Sequence, residues 1–266
     1  MNRYWDDYGT HDLARLPRQH LVAVLPVAST EQHGPHLPLS TDRTILEGLI
    51  AATIERLPDS LPALFLPVQA IGKSDAHIRF PGTLTLSSGT LLQLLVEIGG
   101  SVAMAGVRKL IVLNSNGGNG AVLDLAVREL RIAHDIVAVS ANWYGFGVPD
   151  GVLSEHEQRH GLHGGALETS LMLALRPELV RMERARAFDS LTERLDRNFN
   201  QLGVAPGVSL GWQAQDLNPA GAVGDATAAS AEKGRAILAH GADVLARLID
   251  DVYRFPVSLL HNPTEM

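Results

Sequence analysis

Four short runs of the chain are apolar without alternation: LVAVLPV (21–27), ALFLPV (63–68), KLIVLN (109–114) and DIVAVSANW (135–143). A half-solvated strand alternates apolar and polar side chains, so runs that are apolar on both faces belong to a parallel sheet covered on both sides. Between them lie stretches with helical spacing: TDRTILEGLIAATIERL from Thr41, SSGTLLQLLVEIGGSVAMAG from Ser87 and GAVLDLAVRELRIAH from Gly120. Strand and helix in this alternation predict a layered α/β sandwich built from βαβ units. Helices are also expected over 166–175 and 226–252. The Gly-, Pro- and Asn-rich segment 200–225 between them is expected as a long loop, of the kind that carries function or an interface.

The 266 residues contain no internal repeat or low-complexity tract, so one domain over 1–266 is expected. Twenty-two Lys and Arg against 29 Asp and Glu give a formal charge of -7 without any run of like charge. That balance argues against nucleic acid or an anionic membrane as a partner. There is no cysteine, which excludes disulfides, thiolate metal sites and cysteine nucleophiles. A polar N-terminus without the apolar core of a signal peptide, and no stretch of ~18 apolar residues, make a soluble cytoplasmic protein the expectation. The slightly positive mean hydropathy fits a well-buried interior or an oligomer interface.

In open α/β sheets ligands bind beyond the carboxyl ends of the strands. Each run above leads into a polar, Gly-rich loop: STEQHGPH, GKSDAH, NSNGGN and NWYGFG. Four such loops delivered to one sheet edge make a site. They offer Ser74, His77, Gly117, Gly118, Trp143 and Tyr144 as substrate contacts. Glu31, His33 and Asp42 are hard or borderline donors without sulfur, suited to Zn²⁺, Mn²⁺ or Fe²⁺. A carboxylate such as Asp42 can bridge two ions, which together generate hydroxide and polarise a carbonyl. On residue chemistry alone these groups read equally as turn and capping residues, with Asp42 capping the helix that begins after it.

LPVASTEQHGPHLPLSTD (25–42) resembles the signature of the creatininase (creatinine amidohydrolase) family. The likeness continues through FPGTLTLS (80–87), NSNGGN (114–119), HGGALETSLMLALRPELV (163–180) and GDATAASAEKG (224–234), in the family's order. The resemblance implies a three-layer α/β/α sandwich with a mostly parallel sheet, commonly a homohexamer. It implies hydrolysis of a C–N bond in a cyclic or linear amide at a dinuclear Zn²⁺ or Mn²⁺ centre. Glu31, His33 and Asp42 match its metal ligands. His163 matches the residue that moves protons to the leaving nitrogen, and Glu168 matches a glutamate near the metals. A proton shuttle near neutral pH suits histidine; a local hydrogen bond at a helix start is the alternative for His163, and a dipole-favoured acid in the first turn is the alternative for Glu168.

The chain departs from the family pattern at four positions. Asn116 stands where the family has a histidine ligand, and amide oxygen is a poor substitute for imidazole. Ala76 replaces a glutamate beside His77. Gly118 stands where creatininase itself has a glutamate ligand, and Arg159 where it has a lid tryptophan. The last two argue against creatinine as substrate, and an arginine at the rim would favour an anionic one. Three readings follow: an amidohydrolase for a small cyclic amide, lactam or formamide; a weakened member retained for binding or assembly; or a peptidase-like maturation enzyme.

Overall fold

The computed structural model describes residues 1–204 and 208–260. Its helices are α1 (Thr10–Arg15), α2 (Thr41–Ile54), α3 (Ser88–Met104), α4 (Gly120–His134), α5 (Glu155–His160), α6 (Ala166–Leu175), α7 (Leu191–Asn198), α8 (Ala214–Leu217) and α9 (Ala231–Arg254). The main sheet comprises β1 (Val22–Val27), β2 (Ala63–Phe65), β3 (Lys109–Asn114) and β4 (Val137–Asn142), all parallel, in the order β2-β1-β3-β4. Register runs from Val22↔Lys109 to Val27↔Asn114 and on to Asn142, so three strands end level.

Successive side chains of a strand point to opposite faces. Val22, Val24, Ile111 and Leu113 pack into one core with Leu46 and Leu49 of α2, Leu171 of α6 and Leu245 of α9. Ala23, Leu25, Leu110 and Val112 pack into another with Leu91 and Leu95 of α3 and Leu123 and Leu130 of α4. This is the three-layer α/β/α arrangement. The neighbouring strands β1 and β3 feed helices on opposite faces, α2 and α4, so their exit loops diverge and leave a crevice at the sheet's carboxyl edge.

Element boundaries differ from the expected ones for local reasons. The last long helix begins at Ala231, not at 226. Ser230 caps it by accepting from the Lys233 N–H, and Asp225 caps a separate 3-10 turn over Ala226–Ala228. Asp135 takes the left-handed conformation that ends α4, which delays β4 to Val137. The second strand stops at Phe65, close before Pro67, which has no N–H to give a ladder. The expected loop 200–225, of which 205–207 lie outside the described residues, contains α8 and ends in β6 (Gly224–Asp225), paired antiparallel with β5 (Ala187–Phe188). No helix among the described residues is long and apolar enough to cross a membrane.

Candidate active site

Buried amides stitch the strand-end loops together. The Asn119 Nδ2 donates to Ala28 O (3.1 Å) and to Asn114 Oδ1 (3.1 Å), while its Oδ1 accepts from Lys73 N (2.7 Å). Asn114 Nδ2 in turn donates to Asn116 O (2.7 Å) and Asn142 Oδ1 (2.8 Å). Backbone groups left over where strands end are thereby satisfied, and the loops after β1, β2 and β3 are held in one relation.

Between these loops Glu31, His33, Asp42, His163 and Glu168 converge. His33 is fully buried. Its Nδ1 lies 3.1 Å from Glu31 O, which can only accept, so the proton of the neutral ring is on Nδ1. In that neutral form Nε2 directs a lone pair toward Asp42 Oδ1 (3.3 Å) and Glu168 Oε2 (3.9 Å), and it finds no donor among the described residues. Asp42 is the second residue of α2 and faces this cluster. Its Oδ2 accepts from Ser29 Oγ and its carbonyl from Ser115 Oγ (2.8 Å), which receives Trp143 Nε1 (3.1 Å). Glu168, in the first turn of α6, is aimed by Gly164 N, which donates to its Oε2 (2.6 Å).

Glu31 lies in a cradle of donors. Asn116 Nδ2 reaches its Oε2 at 3.0 Å, the Ser74 hydroxyl hydrogen-bonds it, and His77 Nε2 lies 3.4 Å from its Oε1. Gln32 fixes the His77 tautomer: its amide nitrogen donates to Gly221 O (2.8 Å) and to His77 Nδ1 (2.7 Å), while its oxygen accepts from Gly34 N (2.8 Å). The His77 proton is thus on Nε2, facing Glu31. The His163 ring is packed between His33 and His77, with centroids 4.1 and 4.4 Å away. Its Nε2 donates to Gln32 O (2.7 Å), which leaves Nδ1 as the free nitrogen, 4.0 Å from Glu31 Oε1.

Among the described residues no Lys or Arg pairs with Glu31, Asp42 or Glu168. Burial, and then Asp42, push the Glu31 carboxyl up to about 8, and burial raises Glu168 as well. Burial opposes charge on His33, but Asp42, Glu168 and Glu31 outweigh it and lift the ring to about 10. Burial and then His33 lower His77 to about 4 and take His163 well below its usual value. The carboxylates thus draw positive charge to the Nε2 side of His33, while the neighbouring imidazoles stay neutral.

Of the expected residues, Glu31, His33, Asp42, Ser74, His77, Asn116, His163 and Glu168 come together. Asn116, expected at a ligand position, presents nitrogen rather than oxygen: its Oδ1 is used by Gly118 N (2.9 Å). Both groups of the amide have matched partners in this arrangement. Trp143, expected as a substrate contact, is buried and donates to Ser115 Oγ. Arg159 faces solvent and is paired with Asp196 (2.7 Å), so the expected anion-binding role finds no support. Tyr144 is partly exposed beside Asn114, and Gly117 has open space around it. Gly118 has none, since a Cβ there would fall 2.2 Å from Lys73 O.

Ser29 and Gln32 were not singled out from sequence, although they flank Glu31 and His33. Trp212, from the long loop, meets His77 edge-on at 6.3 Å and was equally missed; the only signal was the loop's length.

The family model for creatininase (creatinine amidohydrolase) matches residues 6–249. A mycofactocin precursor peptide peptidase of Mycobacterium tuberculosis is 34% identical over 249 residues, 91% of this chain and 90% of that protein. The creatinine amidohydrolase of Pseudomonas putida is 34% identical over 197 residues, 68% of this chain and 72% of that one. Among solved structures, a creatininase mutant of Zn-Zn type superposes with a TM-score of 0.76 at 27% identity, covering 96% of this chain and 100% of the other. The chain belongs to the creatininase family.

Proposed function

We propose that the chain hydrolyses an amide C–N bond in a small substrate with the help of a divalent cation. One observation carries this reading: the buried, unpartnered Nε2 of His33 points its lone pair at two carboxylates. Such an arrangement is repulsive unless positive charge lies between them, either a proton on Nε2 or a metal cation in its place. The donor set, one imidazole and two carboxylates, suits Zn²⁺ or Mn²⁺, and His33, Asp42 and Glu168 would hold it. When bound, such an ion supplies the Lewis acidity that makes water nucleophilic near neutral pH and polarises an amide carbonyl.

His163 is suited to the proton movements. Its Nε2–H is committed to Gln32 O, so Nδ1 is the atom that accepts a proton from the attacking water and returns it to the leaving nitrogen. Its packing against His33 and His77 keeps the ring from turning. Gln32 and Gly221 hold the later part of the long loop, 208–225, against the site, and Trp212 brings an aromatic edge to His77, so the substrate end is walled by that part.

The substrate in this reading is a cyclic amide, lactam or formamide. A short peptide is the second reading, favoured by the 34% identity to the mycobacterial peptidase over nine-tenths of both chains. Creatinine is expected to be poor, because the backbone at Gly118 excludes a side chain and Arg159 faces away to Asp196. The test is to load chelator-stripped protein with Mn²⁺ or Zn²⁺ and screen lactams, hydantoins, formamides and short peptides. Hydrolysis that chelation removes and the metal restores is expected. Hydrolysis undiminished by chelation overturns the metal dependence, and a folded, loaded protein inert on the whole panel overturns the hydrolase reading in favour of a binding or assembly role.

A further inference from the structure

We infer that this chain retains a single divalent ion, held by His33, Asp42 and Glu168, and that Asn116 has converted the Glu31 side of the site into a hydrogen-bonded cradle that takes no second ion. The inference rests on the metal-dependent reading above and specifies it.

Among the described residues, two groups have ligand atoms close enough to share an ion: Glu31 with His33 and His163, and His33 with Asp42 and Glu168. Both need His33. Because Nδ1 of that ring is spent on Glu31 O, only Nε2 is available, and one imidazole lone pair serves one ion. The groups are therefore alternatives for one ion rather than two adjacent sites.

The choice between them follows from what surrounds each carboxylate. Asp42 Oδ1 and Glu168 Oε2 both face His33 Nε2; Asp42 gives only its other oxygen to Ser29, and Glu168 accepts one N–H, from Gly164. Glu31 instead meets donors at both oxygens, from Asn116 and His77, with Ser74 as a third. A second ion beside Glu31 would have to displace those N–H groups.

Nor can the glycine loop supply replacement ligands. The Asn116 oxygen is held by Gly118 N, and its nitrogen, shared with Glu31 and Lys73 O (3.2 Å), cannot coordinate a cation. At Gly118 a Cβ would meet Lys73 O at 2.2 Å, so no carboxylate fits without moving the loop after β2. That loop is fixed in turn by Lys73 N donating to Asn119 Oδ1. The same backbone that orders the cradle thus closes the second ligand position.

The decisive measurement needs no variant. Chelator-stripped protein is reloaded with Mn²⁺, desalted, and analysed both for metal per chain and by electron paramagnetic resonance. About one Mn²⁺ per chain with the signal of an isolated ion is expected. Two ions per chain with an exchange-coupled signal overturns the inference and leaves metal dependence standing, while no retained ion overturns both. Glu31→Gln is expected to keep the ion with affinity reduced by less than ~100-fold, the usual range for an outer-shell partner. Glu168→Gln and Asp42→Asn should each weaken Mn²⁺ binding further than that. Loss of the ion from folded Glu31→Gln, with retention in folded Glu168→Gln, assigns the ion to Glu31 and overturns the proposal.

Discussion

Individual side chains in this site act through which of their atoms is already committed. Glu31, His33 and Asp42 were legible in the sequence because they fall within a single stretch of motif. Asn116 was legible as a departure but its orientation was not, because Gly118 N and Lys73 O decide it and Lys73 comes from another loop. Likewise His163 could be named from its motif, but only the carbonyl of Gln32 determines which ring nitrogen is free. For His163→Ala, hydrolysis of the true substrate is expected to fall by about 100- to 10,000-fold, the usual worth of a general acid–base group. Metal content measured on the same variant should be unchanged. If the ion leaves with the side chain, Nδ1 is a ligand and the proton-transfer role is wrong.

Elements place these side chains through close contacts that sequence patterning does not reveal. The periodicity of 166–175 and 226–252 announces two helices but not how near they pass. At Gly234 of α9 a Cβ would lie 1.9 Å from Ser170 O, so α9 rides directly on the backbone of α6, two residues beyond Glu168. Gly234→Ala must push the helices apart. It is expected to cost about 1–3 kcal/mol, as overpacking usually does, read as a lower urea midpoint at unchanged slope. A variant as stable as the parent would show that the helix pair yields freely. The long loop was recognised by composition, yet its contribution, Trp212 against His77, depends on a tertiary fold-back that no local signal encodes. Trp212→Ala is expected to raise KM on the substrate with little change in thermal midpoint; an unaltered KM would remove the loop from substrate contact.

For the molecule as a whole, the parallel sheet was legible because a doubly covered strand has nothing polar to alternate with, as the complete burial of Val22–Val27 shows. Assembly was not legible in the same way. Exposed Met104, Leu125 and Ile132 on α3 and α4 fit the expected homo-oligomer, and a solution mass equal to the 28.6 kDa chain would refute it. The response to acid also sums over the whole fold, and the sign of the His36 contribution can be worked out. The ring is buried, stacked on Phe188, and its Nε2 meets Thr169 Oγ1 (2.9 Å), while Nδ1 has no partner. Burial lowers it from 6.5 to about 4, so the folded protein keeps it neutral where the unfolded chain takes up a proton. Stability from this group is intact above about 6.5 and is lost as pH falls toward about 4. Between pH 7 and pH 5 the loss is at most on the order of 2 kcal/mol. His77, lowered for the same first reason, adds in the same direction. Glu31 and Glu168, whose carboxyls burial raises, act in the opposite sense, so the His36 share is read as a difference: between pH 7 and pH 5 the urea midpoint of chelator-stripped protein should fall relative to that of His36→Gln, which retains an amide for Thr169 but has nothing to titrate. Parallel changes in the two proteins would mean that His36 already carries its proton in the fold.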